Sequence, residues 1–146
     1  NGYRYIKNIG TKKDIIGHAD YSVSFNTFNY VTVDVKGRKK ATRQDSNPTN
    51  KCWIELWSKG RPGWLYGPED YVAFLNPVRD AFLVVNKESL RMYAERVCFG
   101  SVYTFDPKDA YHKQYVRTTD KVDILSMLTY KEIMDNCNNF VMEIKQ

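Results

Sequence analysis

The chain has 146 residues, a net charge of +5 and 42% hydrophobic residues, including eleven Tyr, seven Phe and three Trp. This size suits one domain that buries a core without disulfides, and the composition excludes a disordered or low-complexity chain. Cys52, Cys98 and Cys137 are widely spaced and odd in number, which fits neither a disulfide framework nor the paired spacing of a zinc site, and no apolar run reaches the roughly 20 residues that span a bilayer. No leader-like segment precedes the first strand, so the expectation is a soluble cytoplasmic protein.

Residues 1–17 carry scattered Tyr and Ile among Lys and Gly, which predicts irregular or weakly extended chain. A strand follows at Asp20-Tyr21-Ser22-Val23-Ser24-Phe25, where apolar and polar residues alternate behind an acid. The turn formers Asn26-Thr27-Phe28-Asn29 then lead into Tyr30-Val31-Thr32-Val33-Asp34-Val35-Lys36. In a strand Val31, Val33 and Val35 share one face, expected to be the buried one, while Thr32, Asp34 and Lys36 share the other. Folded back as an antiparallel hairpin, these two strands bring Asp20 to the same end of the sheet as Asp34 and Lys36. Beyond them Lys36, Arg38, Lys39, Lys40 and Arg43 crowd together, with Lys51, Lys59 and Arg61 following. That is the footprint of a polyanion-binding surface, or else a solvated charged loop.

Residues 41–50 are polar and predict a loop. Cys52 to Trp57 resumes strand character, with Cys52, Ile54 and Leu56 on one face and Trp53, Glu55 and Trp57 on the other. Gly60-Arg61-Pro62-Gly63 breaks the chain before Trp64-Leu65-Tyr66, and strands are expected at 70–75 and 81–85. Leu90, Tyr93, Ala94 and Val97 follow helical spacing behind Asn86, a plausible N-cap. From Phe99 to Asp123 only Val102, Tyr103 and Phe105 suggest a strand. Thr129 and Glu132 have capping-box spacing, and Ile133, Cys137, Val141 and Ile144 recur on one face, predicting a last helix of about four turns. The fold class is α+β, with mostly antiparallel strands and helices packed on a sheet.

Two carboxylates held side by side suit Mg²⁺, which takes oxygen ligands from one or two carboxylates, waters and a phosphate. Asp20 and Asp34 could hold such an ion with the Val35 backbone carbonyl, and Lys36 beside it could orient a water or stabilise developing negative charge. Arg38 and Lys39 would grip neighbouring phosphates without reading bases. The bland reading of Asp34 and Lys36 is a surface ion pair worth at most about 1 kcal/mol. His18 and His112 have no partner at metal-ligand spacing, and Trp53, Trp57 and Trp64 read as sheet-packing aromatics rather than base-stacking ones.

His18-Ala19-Asp20, a hairpin-length gap, then Asp34-Val35-Lys36-Gly37-Arg38 resembles the signature of the PD-(D/E)xK nuclease superfamily, an acid opening one strand and an acid-x-Lys in the next. Trp64-Leu65-Tyr66, Asp70 to Phe74, and Phe82 to Val85 extend the resemblance more loosely over roughly the first hundred residues. It implies a restriction-endonuclease-like central mixed sheet flanked by helices, and an endonuclease of phage or mobile-element type acting on DNA, or on RNA, in a host cytoplasm. Under it Asp20 and Asp34 bind Mg²⁺ or Mn²⁺, Lys36 serves catalysis, and Glu55 matches an auxiliary acid of some members. Arg38, Lys39, Lys40, Arg43 and Lys51 would contact the nucleic-acid backbone, and cutting both strands would favour a homodimer. Ala19 departs from the Pro of the family's name, and Asp14 is the sole acid upstream of Asp20. A non-catalytic nucleic-acid-binding or assembly protein on the same fold is the alternative.

Overall fold

The computed structural model describes residues 4–7, 20–24, 30–37, 50–76 and 81–143. Runs rich in Val, Ile, Tyr and Phe form eleven strands among them. These are β1 (Arg4–Lys7), β2 (Tyr21–Ser24), β3 (Tyr30–Lys36), β4 (Lys51–Ser58), β5 (Arg61–Pro62), β6 (Tyr71–Asn76), β7 (Ala81–Asn86), β8 (Tyr103–Thr104), β9 (Gln114–Thr118), β10 (Val122–Thr129) and β11 (Asn139–Glu143). Two helices, α1 (Lys87–Cys98) and α2 (Tyr130–Asn136), and short 3-10 turns at Trp64–Tyr66 and Pro107–Asp109 complete the elements. No helix among the described residues is long and apolar enough to cross a membrane.

The strands form two sheets, one of six in the order β1-β2-β3-β6-β7-β11 and one of five in the order β5-β4-β10-β9-β8. Pairing is antiparallel except between β3 and β6 and between β8 and β9. The α+β class and the β2–β3 hairpin therefore stand as expected, while the turn at 25–29 lies outside the described residues.

A shared apolar core lies between the sheets. Val72, Phe74, Leu83 and Val85 come from the first, Cys52, Ile54, Leu56 and Leu128 from the second, and Leu90, Tyr93, Ala94, Cys98 and Ile133 from the helices. The alternation of β4 is as expected, with Cys52, Ile54 and Leu56 inward. Its turn into β5 uses left-handed backbone at both Lys59 and Gly60 (φ 51° and 82°), which a two-residue hairpin turn of type I′ requires. The Asp123 carboxylate clasps that turn from β10, accepting from the Lys59 amide at 3.1 Å and the Ser58 hydroxyl at 3.2 Å.

Two expectations are corrected. The capping box of Thr129 and Glu132 is present, but α2 stops at Asn136 instead of continuing for four turns. Asn136, Asn138 and Asn139 are poor helix formers, and the following Phe140, Val141 and Met142 pair with β7 as β11. Tertiary strand pairing overrides the helical spacing of Val141; Ile144 lies outside the described residues. The second correction is of face. In β3 Asp34 is the buried residue, whereas Val31, Val33 and Val35 are half-buried, and in β2 Ser22 and Ser24 are buried while Tyr21 and Val23 are not. The register explains it: Asp34 pairs with Val72 and Lys36 with Phe74, so the polar face of the hairpin continues the core-facing side of β6.

Candidate functional site

The acid-bearing face of the hairpin thus points inward at the margin of the core. Tyr21 pairs with Val33, which sets Asp20, one residue back, across from Asp34. The Asp20 Oδ2 accepts from the Val35 amide at 2.6 Å, and its negative charge acts on Asp34. Asp34 is 2% exposed, and Lys36 Nζ stands 2.7 Å from its Oδ2. Burial pushes the Asp34 pKa above the usual carboxylate range, against the pull of Lys36 and Lys87, and Asp20 adds to the rise. Sequence reading brought Asp20, Asp34 and Lys36 together, and the register does the same. At Val35 the amide is engaged by Asp20, so the peptide group between Asp34 and Lys36 is held from the side of β2.

Trp64 forms the wall of this site. Its ring lies 4.9 Å from Lys36 Nζ and 5.8 Å from Lys87 Nζ, and it meets Phe74 edge-on at 6.0 Å. A cation over an indole face is attracted by the ring quadrupole, so both ammonium groups are steered to one surface. Glu55 serves the wall: its Oε1 accepts from the Trp64 amide at 3.3 Å. Glu55 also lines a small cavity of about 40 Å³ with Lys36, Lys51, Trp53, Trp64 and Tyr130. Gly63 sits so close to β4 that a Cβ there would fall on the Glu55 carbonyl, 2.6 Å from its carbon. We expect Gly63→Ala to cost roughly 1–3 kcal/mol in urea unfolding and to disturb Lys36 through Trp64; an unchanged midpoint would show that the turn yields freely.

A second ion pair, Lys87 with Glu69, lies behind the first. The two side chains are 4% and 0% exposed, and Glu69 Oε1 is buried without a hydrogen-bond partner among the described residues. Lys87 is the first residue of α1, where the helix dipole disfavours a cation. Glu69 offsets that cost. Gly67 leaves room for the pair, since a Cβ there would lie 2.5 Å from Glu69 Oε2 and 3.0 Å from Lys87 Nζ. Sequence reading missed Glu69, Lys87 and the role of Trp64. The usable signal was a lysine opening a helix directly after a buried strand.

Asp70 locks the neighbouring strand, its Oδ2 accepting from the Thr32 amide at 2.8 Å and the Thr32 hydroxyl at 3.0 Å. The Thr32 hydroxyl in turn accepts from the Asp70 amide at 3.1 Å. This reciprocal clasp fixes β3 against the start of β6, and with it the height of Asp34.

Among the described residues no three His, Cys, Asp or Glu side chains converge to hold a metal ion. Asp20 and Asp34 offer two carboxylates, a donor set that fits Mg²⁺ or Mn²⁺, whose remaining ligands are waters and phosphate oxygens. Glu55 is occupied with the Trp64 turn and does not complete a three-acid cluster. Lys51 lines the same cavity as Lys36, while Arg38, Lys39, Lys40 and Arg43, together with His18 and Asp14, lie outside the described residues. Comparison with family models, curated proteins and solved structures returned no match to this chain.

Proposed function

We propose that the chain is a metal-dependent nuclease that hydrolyses phosphodiester bonds in DNA, with Asp20, Asp34 and Lys36 as its working groups. The observation that carries this reading is the β2–β3 register, which sets Asp20 across from Asp34 with Lys36 2.7 Å from the Asp34 carboxylate. Asp20 and Asp34 would hold Mg²⁺ or Mn²⁺, which supplies Lewis acidity toward a phosphate oxygen and a nearby water. The Val35 amide holds Asp20 in place, so its carboxylate needs no reorganisation when substrate arrives. Lys36 keeps a quarter of its side chain exposed and can turn its ammonium from Asp34 to a phosphate oxygen or to the attacking water. Trp64 shields the other side of that ammonium from solvent. Lys51, which lines the same cavity, would take an adjoining phosphate.

The test is cleavage of labelled duplex, single-stranded and branched DNA, and of RNA, in Mg²⁺, in Mn²⁺ and in chelator. We expect cutting with either metal, none in chelator, and a loss of roughly a hundredfold or more in Lys36→Met with binding retained. Wild-type protein that binds these substrates but cuts none in either metal would instead support a non-catalytic nucleic-acid-binding protein.

A further inference from the structure

In the first turn of α2, directly after β10, one carboxylate gathers an unusual number of donors. Glu132 Oε2 accepts from the Thr129 amide (2.9 Å), the Thr129 hydroxyl (2.8 Å) and the Tyr111 hydroxyl (2.9 Å). Its Oε1 accepts from the Tyr93 hydroxyl at 3.2 Å and meets His112 Nε2 at 2.5 Å. Burial would raise the Glu132 pKa, but the bonds from Thr129, His112 and Tyr111 outweigh it, and the group is held as an anion below the usual range. A helix cap needs only the bonds exchanged with Thr129, its amide to the Glu132 carboxylate and the Glu132 amide to its hydroxyl. The others fix side chains that do not belong to the helix.

The fixed groups are Tyr111 and His112, whose rings stack 4.0 Å apart at 26°. Tyr111 is 40% exposed and the His112 side chain 34%. His112 adopts a left-handed backbone (φ 56°), with its amide donating to the Met127 carbonyl at 3.2 Å. That conformation costs a non-glycine residue on the order of 1 kcal/mol and persists where surroundings impose it. Two aromatic rings are thus pinned by their polar ends and remain partly exposed, each covering one face of the other. Lys51 Nζ lies 5.2 Å from the Tyr111 ring, and Lys51 also borders the cavity that contains Lys36. Rigid rings beside a cation are what a single-stranded nucleotide requires: a stacking surface already ordered, and a positive charge for its phosphate.

We propose that Tyr111, His112 and Lys51 form a nucleotide subsite, in which an unpaired base stacks on the aromatic pair and Lys51 holds its phosphate. The subsite rests on the nuclease reading for its purpose and specifies the substrate class, a nucleic acid with an unpaired stretch beside the bond to be cut. Paired bases already stack on their neighbours and would gain nothing from the rings.

The experiment measures binding in chelator, where no metal-dependent cleavage interferes, with a single-stranded oligonucleotide carrying 2-aminopurine and with a blunt duplex. Wild type should bind the single strand and quench its fluorescence. Tyr111→Leu should weaken single-strand binding about tenfold and abolish the quench, with duplex binding unchanged. Tyr111→Phe, which keeps the ring and loses the bond to Glu132, should keep the quench and bind more weakly than wild type but more tightly than Tyr111→Leu. Lys51→Gln should lower the slope of log Kd against log salt by about 0.7. Equal single-strand affinity and quench in wild type and a folded Tyr111→Leu would overturn the subsite, even if metal-dependent cutting persists. Tyr111→Phe losing binding as fully as Tyr111→Leu would also overturn it, because the network and not the ring would then matter. If wild type stacks the base in this way yet cuts nothing with metal, the subsite stands and the nuclease reading fails. Wild type that binds no strand overturns the subsite.

Discussion

Asp34→Asn is expected to lose at least about a thousandfold in metal-dependent cleavage while unfolding at the same temperature as wild type or higher. The two effects share one origin. Burial raises the Asp34 pKa more than Lys36 and Lys87 lower it, so the ionised carboxylate is less favourable in the folded chain than in the unfolded one. For a carboxylate whose folded pKa is raised, that penalty is present at pH above the folded pKa and is relieved as pH falls through it. The neutral amide escapes it at every pH. The stability advantage of Asp34→Asn should therefore be largest near neutrality and shrink as the solution is made acidic, which thermal melts of both proteins across that range would measure. Lys36, freed of its partner, remains partly in solvent and does not become a buried unpaired charge. A variant that melts well below wild type at neutral pH would mean that the ion pair supports the fold, and the case for a site kept at the expense of stability would fall. Cleavage retained in Asp34→Asn would remove this residue from the chemistry altogether.

The second large effect is on Lys87. Lys87→Met should cost about 3–5 kcal/mol in urea unfolding, because it leaves Glu69 ionised, buried and uncompensated. Glu69→Leu should be similarly harmful, since it strands the ammonium beside Trp64. Removing both charges in Lys87→Met/Glu69→Leu should recover most of the loss, as apolar replacements of buried pairs often do. A double-mutant cycle gives the coupling directly; Lys87→Met within about 1 kcal/mol of wild type would show that Glu69 takes up a proton or finds other partners. The recovered double variant is also informative about activity. It lacks the positive charge that Lys87 directs at Asp34, so its carboxylate is shifted further toward the neutral form, and its cleavage should decline at a higher pH than that of wild type.

The hairpin was legible because strand periodicity and a short gap suffice to set Asp20 across from Asp34. The direction in which that face points was not. Alternation separates Val31, Val33 and Val35 from Thr32, Asp34 and Lys36, but only the parallel pairing of Asp34 with Val72 decides which set looks toward the core. Apolar residues are usually the inner ones, and here the pattern is reversed. β10 escaped for a related reason: Leu125, Ser126, Met127 and Leu128 are all buried, so the central strand of the second sheet has no alternation to detect. Lys87 lies 18 residues beyond Glu69, and nothing local says that it meets Glu69 and Trp64. Glu132 was recognised as a cap from its spacing to Thr129, but its bonds to Tyr93 and to the adjacent Tyr111 and His112 come from two other places in the chain.

The order of the strands bears on how the protein is made. The chain lays down β1 to β3 in one sheet, crosses to the other for β4 and β5, returns for β6 and β7, crosses again for β8 to β10, and ends with β11 back in the first. The wall that carries Trp64 is built on β4, and β10 pairs with β4, so that Leu128 meets Cys52 only after the long stretch between them has been made. Contacts of such sequence separation form slowly. Asp20 and Asp34 can pair early in a hairpin, yet the Trp64 surface beside Lys36 is fixed only when the second sheet closes. Synthesis and completion of the pocket are thereby separated in time, and a half-made chain carries Asp20 and Asp34 without the Trp64 wall.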